Sequence, residues 1–360
     1  MKDPNAPSNP PKSELDLYDF ELPRDLIAQE PPANRTDSRM MVVDRRSGRI
    51  DHASIKDLPS HLRAGDAIVV NDSKVIPARL VGYREKTRGR WEGLFLREEN
   101  GIAELLSKTR GYLMPDERIV LRDPEGRENQ GLVVVAHADE GHLLVRPDPS
   151  RDWLELLEAA GRVPLPPYIR DGQMTETDRQ RYQTVYARTP GSVAAPTAGL
   201  HLTEELLQKI RAAGVALVSV TLHVGLGTFR PVQVATLDQH KMHSEFAQIS
   251  GNVVKRLTGA RAEGGRILAV GTTSVRTLET SAMHGDGKLI EWSGQTDIFV
   301  RPGHSFQAVD MLLTNFHLPR STLMVLISAF AGRELMLEAY RKAIEEQYRF
   351  FSYGDCMLIV

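Results

Sequence analysis

Residues Thr203 to Val224 read TEELLQKIRAAGVALVSVTLHV. Thr203 is a good helix N-cap, Glu204 and Glu205 fall in the first turn where carboxylates meet the positive end of a helix, and Gly214 stops the run after Ala213. An apolar strand, VALVSVTLHV, follows at once. A helix giving way to a strand without polar alternation is the repeating unit of a mainly parallel sheet flanked by helices. The alternation continues with a helix near Asn252 to Glu263, the strand RILAVGT from Arg266, a helix from Ser274 and a long helix from Gly332 to Tyr348.

Upstream the period changes. From Ala67 to Arg146 the chain holds short β runs: AIVVN from Ala67, ARLVGY from Ala78, WEGLFLR from Trp91, IAELLS from Ile102, RIVL from Arg118, GLVVVAH from Gly131 and HLLVR from His142. Short strands separated by glycine turns make a small barrel or sandwich. Arg146-Pro147-Asp148-Pro149 ends it. Before it, Leu22 to Ile27 reads as a short helix opened by Pro23, and Met40 to Asp44 as a strand. The expected architecture is α/β: residues 1–14 a loose polar tail, 15–74 and 149–360 an α/β domain, and 75–148 an inserted β domain.

The 360 residues are 41% hydrophobic and 26% charged, which leaves collagenous, coiled-coil and disordered classes without support. With 47 acidic against 45 basic residues the net charge is −2, so any nucleic-acid contact must come from local patches. Cys356 has no partner for an internal disulfide, no apolar run reaches membrane-spanning length, and the start shows no signal-peptide core. A cytoplasmic protein with no membrane contact is expected. The chain lacks G-x-x-x-x-G-K-[ST], G-x-S-x-G, H-E-x-x-H and C-x-x-C, and Arg230 interrupts the dinucleotide fingerprint that Gly225-Leu226-Gly227 begins.

Polar groups at strand ends remain. His201 closes AAPTAGLH (Ala194 to His201), a small-residue turn with Thr197 and Gly199 directly before a helix; it is either a ligand site or a packed turn. His223, Gly225, Gly227 and Arg230 lie in a glycine-marked loop after a strand, suited to an anion or ribose, or simply a loop. His240-Lys241-Met242-His243-Ser244-Glu245 offers metal ligands by type, but neither a helix nor a strand gathers His240, His243 and Glu245 on one face, so no metal is expected and His243 with Glu245 reads as an acid/base pair. Gly271-Thr272-Thr273-Ser274, with Arg276 and Glu279 beyond, places amides and hydroxyls at a helix start, a site for a carboxylate or phosphate or else a cap. Asp297, Asn315 and His317 sit in two strand-to-turn runs, and Tyr348 to Asp355 (YRFFSYGD) piles aromatics that are either core or a stacking platform for a base.

Taken in order, SRMMVVDR, DLPSHLRAGDAIVVNDSKVIPARL, RYQTVYA (Arg181 to Ala187), AAPTAGLH, HVGLGTFRPV, HKMHSE, VGTTSVRTLE, TDIF-RPG, LLTNFHLPRSTL and YRFFSYGD resemble the S-adenosylmethionine:tRNA ribosyltransferase-isomerases of queuosine biosynthesis, from about Leu15 to Val360. Departures are small, such as His-Leu-Thr at His201 where the family more often has His-Phe-Thr. The resemblance implies an α/β domain with an inserted β-barrel, a monomer without a prosthetic group, S-adenosylmethionine as cosubstrate, and a tRNA partner carrying 7-aminomethyl-7-deazaguanine at the wobble position. The products would be epoxyqueuosine, adenine and methionine.

On that resemblance, His201 and His243 would carry acid/base work with Glu245 orienting His243. Arg276 and the amides of Gly271 to Ser274 would hold the methionine carboxylate, and Asp297 or Glu279 would face its ammonium or the sulfonium. Tyr182, Thr184, Tyr353 and Asp355 join the expected substrate contacts. Arg79, Arg84, Lys86, Arg88 and Arg90 form the best basic patch for tRNA. Two rivals stay open: a metal-dependent hydrolase using His240, His243 and Glu245, and an RNA-binding module without catalysis.

Overall fold

A computed structural model describes residues 13–225 and 236–360. Its strands are β1 (Arg39–Val43), β2 (Ile50–Ser54), β3 (Ala67–Asn71), β4 (Ser73–Val75), β5 (Arg79–Arg84), β6 (Arg90–Glu99), β7 (Ile102–Thr109), β8 (Arg118–Leu121), β9 (Gln130–His137), β10 (His142–Asp148), β11 (Thr189–Ser192), β12 (Ala216–Leu222), β13 (Glu245–Ile249), β14 (Ile267–Val270), β15 (Trp292–Thr296), β16 (Met311–Asn315) and β17 (Cys356–Ile359). The helices are α1 (Trp153–Ala160), α2 (Asp178–Arg181), α3 (Glu204–Ala212), α4 (Gly251–Ala262), α5 (Thr272–His284), α6 (Thr322–Ala331) and α7 (Arg333–Glu345). Among the described residues, 13–72, 196–222 and 236–360 form one compact unit and 73–195 with 223–225 a second.

The first unit is built on a nine-stranded sheet of order β15-β13-β12-β3-β14-β16-β17-β1-β2. Its centre, β12-β3-β14-β16, is parallel, as is β17-β1, while the remaining neighbours are antiparallel. β3, β14, β16 and β17 are buried at every residue, which is why they read as unbroken apolar runs. AIVVN therefore belongs to this sheet as β3 and not to the β stretch that follows it. Its lack of alternation is the mark of a strand covered on both faces.

The chain leaves this sheet after β3 and returns as β12, which pairs in parallel from Ala216 opposite Ala67 to Val220 opposite Asn71. Asp66, fully buried, anchors the entry to β3. It accepts hydrogen bonds from the backbone N–H of Arg63 (3.0 Å) and Arg266 (2.8 Å) and from Arg266 Nη2 (2.6 Å). Ala67 N–H in turn donates to the Arg266 carbonyl at 2.8 Å.

Smaller differences have local causes. Leu22 to Ile27 holds only a 3-10 turn, Arg24–Leu26, because the chain turns extended again at Ile27. The last helix is preceded by a separate α6, the two broken at Gly332 where φ is +91°. The strand expected through Asp297 stops at Thr296. Ser13 caps a 3-10 turn over Glu14–Tyr18, with Asp16 returning a bond to its N–H.

The second unit contains a closed antiparallel barrel of order β10-β7-β6-β5-β8-β9. Alternate residues point inward: Leu80, Trp91, Leu105, Ile119, Leu132, Val134, Leu143 and Val145 share one core with Trp153, Leu156 and Leu157 of α1. Gly82 is required where β5 meets β8, since a Cβ there would lie 2.1 Å from the Val120 carbonyl oxygen. A parallel pair, β4 with β11, completes the unit's strands among the described residues.

Burial alone would raise the Asp66 pKa, but the hydrogen bonds from Arg266 and Arg63 outweigh it and hold the carboxyl below the ordinary aspartate value. Its stabilisation is therefore present above the unfolded pKa and is lost as pH falls through the lower native value. Asp66→Asn is expected to lower the unfolding free energy near neutrality by about 3 kcal/mol. Urea unfolding followed by circular dichroism should show this gap closing as the pH falls below the ordinary aspartate range, and a gap of constant size would contradict a charge-based anchor.

Candidate active site

The parallel centre of the first unit brings the ends of β3 (Asn71), β12 (Leu222), β14 (Val270) and β16 (Asn315) to one edge of the sheet, the place where open α/β sheets bind ligands. Asn71 and Asp72, overlooked in the sequence, sit here. The Asn71 amide bonds both to the Leu222 carbonyl (2.9 Å) and from the Leu222 N–H (3.0 Å), and Asp72 accepts from Thr221 Oγ1 at 2.7 Å. Their only sequence signal was a polar Asn-Asp directly after an apolar run.

The 3-10 turn Thr197–His201 lies over the end of β16. Asn315 Nδ2 donates to His201 Nε2 at 3.1 Å and to the Phe351 carbonyl at 3.0 Å, while Thr197 Oγ1 donates to Asn315 Oδ1 at 3.3 Å. With Nε2 accepting, the proton sits on Nδ1 and meets Ser38 Oγ at 2.9 Å. Arg35, one turn before, bonds the Leu200 carbonyl at 3.0 Å. Ser38 and Arg35 were not singled out in the sequence, because they lie far from His201 along the chain. Burial, reinforced by the positive charges of Arg35 and Arg349, pushes the His201 pKa down to about 4, so the ring is a neutral imidazole at neutral pH. His317 is likewise buried and neutral, its pKa near 3 by desolvation, with Nε2 on Thr314 Oγ1 at 2.8 Å. Gly199 is buried within the same turn, its N–H on the Pro196 carbonyl at 2.8 Å.

Gly271 (φ +86°) ends β14 and opens α5, with Ala198 3.6 Å from where its Cβ would stand. Thr272 and Ser274 are buried, Ser274 Oγ donating back to the Val270 carbonyl at 2.8 Å. The Thr273 hydroxyl has no partner among the described residues. One turn on, Arg276 is buried and its guanidinium pairs with the Glu245 carboxylate, Nη2 reaching the Thr296 carbonyl at 3.4 Å. Cross-strand register places Glu245 opposite Thr296, which brings the acid to the arginine. The structure thus joins Glu245 to Arg276, a pairing absent from the sequence reading, while His243 stands exposed just before β13. Glu279 is also committed: it accepts the N–H of Gln307 and of Ala308, each at 3.0 Å, and faces His304 Nε2 at 3.2 Å. Asp297 is exposed at the end of β15.

Other expected residues lie apart from this edge or inside the core. Asp355 is buried and accepts the N–H of Arg39 (2.8 Å) and Arg349 (2.9 Å), and burial raises its pKa. Tyr348, Phe350, Phe351 and Tyr353 are all buried, so this aromatic stripe is core and presents no stacking platform. In the second unit, Tyr182 and Thr184 are buried in the turn after α2, beside Gln183, whose amide bonds both backbone groups of Val75. His223 packs its ring within 2.9 Å of where a Cβ of Gly191 would be, and Gly225 follows it. Gly227 and Arg230 lie outside the described residues. In the expected basic patch, Arg84 is held by Glu117 (2.6 and 2.9 Å) and Arg79 by Glu92 (3.1 Å), while Lys86, Arg88 and Arg90 are exposed. Among the described residues no group of three or more His, Cys, Asp or Glu is placed to hold a metal, and no helix is long and apolar enough to cross a membrane.

Neutral imidazoles, an amide, a helix start and a compensated ion pair meet at this sheet edge, and by residue type alone they would suit many polar small molecules. Comparison with known proteins narrows this. The profile of a family described as "Queuosine biosynthesis protein" matches residues 15–359. The S-adenosylmethionine:tRNA ribosyltransferase-isomerase of Symbiobacterium thermophilum is 50% identical over 350 residues, covering 96% of this chain and 99% of its own. Its namesake from Desulforamulus reducens is 48% identical over 349 residues, covering 96% and 100%. The crystal structure of S-adenosylmethionine tRNA ribosyltransferase from Thermotoga maritima is similar with a TM-score of 0.54 at 36% identity, over 96% of this chain and 100% of that one. The chain belongs to the queuosine biosynthesis family of enzymes.

Arg276→Met is expected to cost about 3 kcal/mol in unfolding free energy, because Glu245 is left charged and buried. Adding Glu245→Leu should recover most of it. A double-mutant cycle with coupling below about 0.5 kcal/mol would contradict a pair that depends on both charges.

Proposed function

We propose that this enzyme transfers and isomerises the ribosyl group of S-adenosylmethionine onto 7-aminomethyl-7-deazaguanine at the wobble position of tRNA, giving epoxyqueuosine with release of adenine and methionine, and that it does so as a cytoplasmic monomer. The observation that carries this is the match to relatives of that name at about half of all positions along essentially the whole chain.

The chemistry starts at the sulfonium, whose positive charge acidifies the C5′ protons. A base takes one, and the carbanion, stabilised by the adjacent sulfur, forms the C4′–C5′ double bond as the C4′–O4′ bond breaks; the O4′ alkoxide then becomes the C1′ aldehyde as the C1′–N9 bond breaks, and adenine leaves with a ring nitrogen protonated. The aminomethyl nitrogen adds to C4′ and loses a proton, the electron pair returned to C5′ attacks the C1′ aldehyde to close the five-carbon ring, and the resulting alkoxide displaces methionine from C5′, forming the epoxide as the C–S bond breaks. An unshielded ylide would be reprotonated by water, so positioning carries much of the catalysis.

The proton carrier on this reading is His243, which is exposed, whereas both ring nitrogens of His201 are occupied. His201 is assigned a positioning role: its neutral ring orients the Asn315 amide at the sheet edge. The methionine carboxylate is assigned to the amides of Thr272 to Ser274 and the unpartnered Thr273 hydroxyl. Arg276 already shares its charge with Glu245, and it supports this seat from behind. Asp297 is the better partner for the ammonium or sulfonium, since the Glu279 carboxylate is filled by the backbone N–H groups of Gln307 and Ala308. The hydrolase alternative is disfavoured because Glu245 pairs with Arg276 and, among the described residues, no group of three or more His, Cys, Asp or Glu is placed to hold a metal.

Incubation with S-adenosylmethionine and precursor tRNA is expected to release adenine and methionine in step with modification of the tRNA. His243→Ala should slow adenine release about 100-fold or more and remove a limb of the pH–rate profile. A rate within about threefold of wild type would take His243 out of the proton transfer. His201→Gln should lower the rate while leaving the shape of the profile unchanged.

A further inference from the structure

The outer wall of the barrel carries an open pocket of about 410 Å³ lined by Val81, Gly82, Tyr83, Arg88, Arg90 and Arg122. Register explains why these residues meet. Gly82 lies opposite Trp91 and Leu121, which point into the core, so the next pair along, Tyr83 with Arg90, faces outward. Arg122 joins from the end of β8, its N–H on the Val81 carbonyl at 2.8 Å. The Tyr83 hydroxyl donates to Glu128 at 2.7 Å, and Arg122 donates to the same carboxylate at 2.6 Å. The Arg88 guanidinium lies over the Tyr83 ring, 3.8 Å from its centre.

The charges around this pocket do not cancel. Arg90 meets Glu92 at 2.5 Å, but Arg79 draws on that same carboxylate, and Glu128 answers Arg122. Arg88 makes no ion pair with a described residue. It also sits at φ +59°, a conformation that favours Gly or Asn, in a turn closed by the Arg84 N–H on the Gly89 carbonyl and the Arg88 N–H on the Arg84 carbonyl, both at 2.8 Å. Three guanidiniums around a tyrosine, one of them stacked on its ring and without an ion pair among the described residues, fit the anionic oxygens of a phosphate.

We infer that this pocket seats a phosphodiester of the RNA substrate, with Arg88 and Arg90 on the phosphate oxygens and Arg122 behind them. The inference rests on the tRNA part of the proposed function and sharpens it. In a chain of net charge −2, RNA affinity must be concentrated locally, and here two of the arginines expected to supply it, Arg79 and Arg84, are consumed by Glu92 and Glu117. Arg122 takes their place. The open form of the pocket suits a polymer running through it, as a sealed cavity would not.

The test is the salt dependence of precursor-tRNA binding by fluorescence anisotropy, comparing wild type, the double variant Arg88→Asn with Arg90→Gln, and Arg97→Gln as a control for charge loss elsewhere on the barrel. Asn tolerates the left-handed backbone at position 88, so the turn is kept. The double variant should bind about tenfold or more weakly at low salt, with the slope of log K against log salt reduced by roughly 1.5. Its kcat at saturating tRNA should be unchanged and its KM for tRNA raised. A slope and Kd equal to wild type, or an equal loss in Arg97→Gln, would overturn the pocket while leaving the tRNA reading intact. Absence of tRNA binding by the wild type itself would overturn both.

Discussion

The structure of the first unit depends on β3 lying in parallel between β12 and β14. β3 is the last element before the chain departs for the second unit, and it regains neighbours only when β12 returns in register with it. Asp66 fixes one end of that arrangement by joining β3 to the start of β14 through Arg266. At the opposite end, the Asn71 side chain extends the pairing with Leu222 beyond the backbone ladder. With both ends fixed, the carboxyl ends of four parallel strands align, and the polar groups that follow them are gathered without further adjustment.

What is gathered is mostly already satisfied. His201, Asn315, Ser38 and Thr197 form one hydrogen-bonded chain, Arg276 and Glu245 neutralise one another, and Glu279 is filled by the backbone of the segment before β16. Buried polar groups held this way are costly to leave unpaired and so resist movement, which suits the proposed shelter of a reactive carbanion from water. The groups left over are fewer: the amides at the start of α5 and the buried Thr273 hydroxyl, with His243 and Asp297 exposed to solvent.

Much of the fold was legible because it is written in local periodicity. The helix after Thr203, the apolar strands and the alternating barrel runs each declare themselves within a dozen residues or so. AIVVN reads as the first of the short β runs although the expected bounds leave it in the α/β domain, because a short apolar run carries no mark of which sheet it joins. α6 (TLMVLISAFA) was missed because a helix apolar on every side has no face to detect. The site was legible as residue types at strand ends, and illegible as roles. Whether His201 is free or engaged is decided by Ser38 and Asn315, which lie 163 and 114 residues away along the chain. Likewise, Arg84 looks like an RNA contact until Glu117, 33 residues on, is seen to hold it.

The proposed seat of S-adenosylmethionine is the strand ends of the first unit. Hydrogen–deuterium exchange with and without S-adenosylmethionine tests this most directly. The account predicts new protection in peptides spanning residues 197–201, 271–275 and 314–317. Protection confined to other segments, with these three unchanged under saturating ligand, would contradict it.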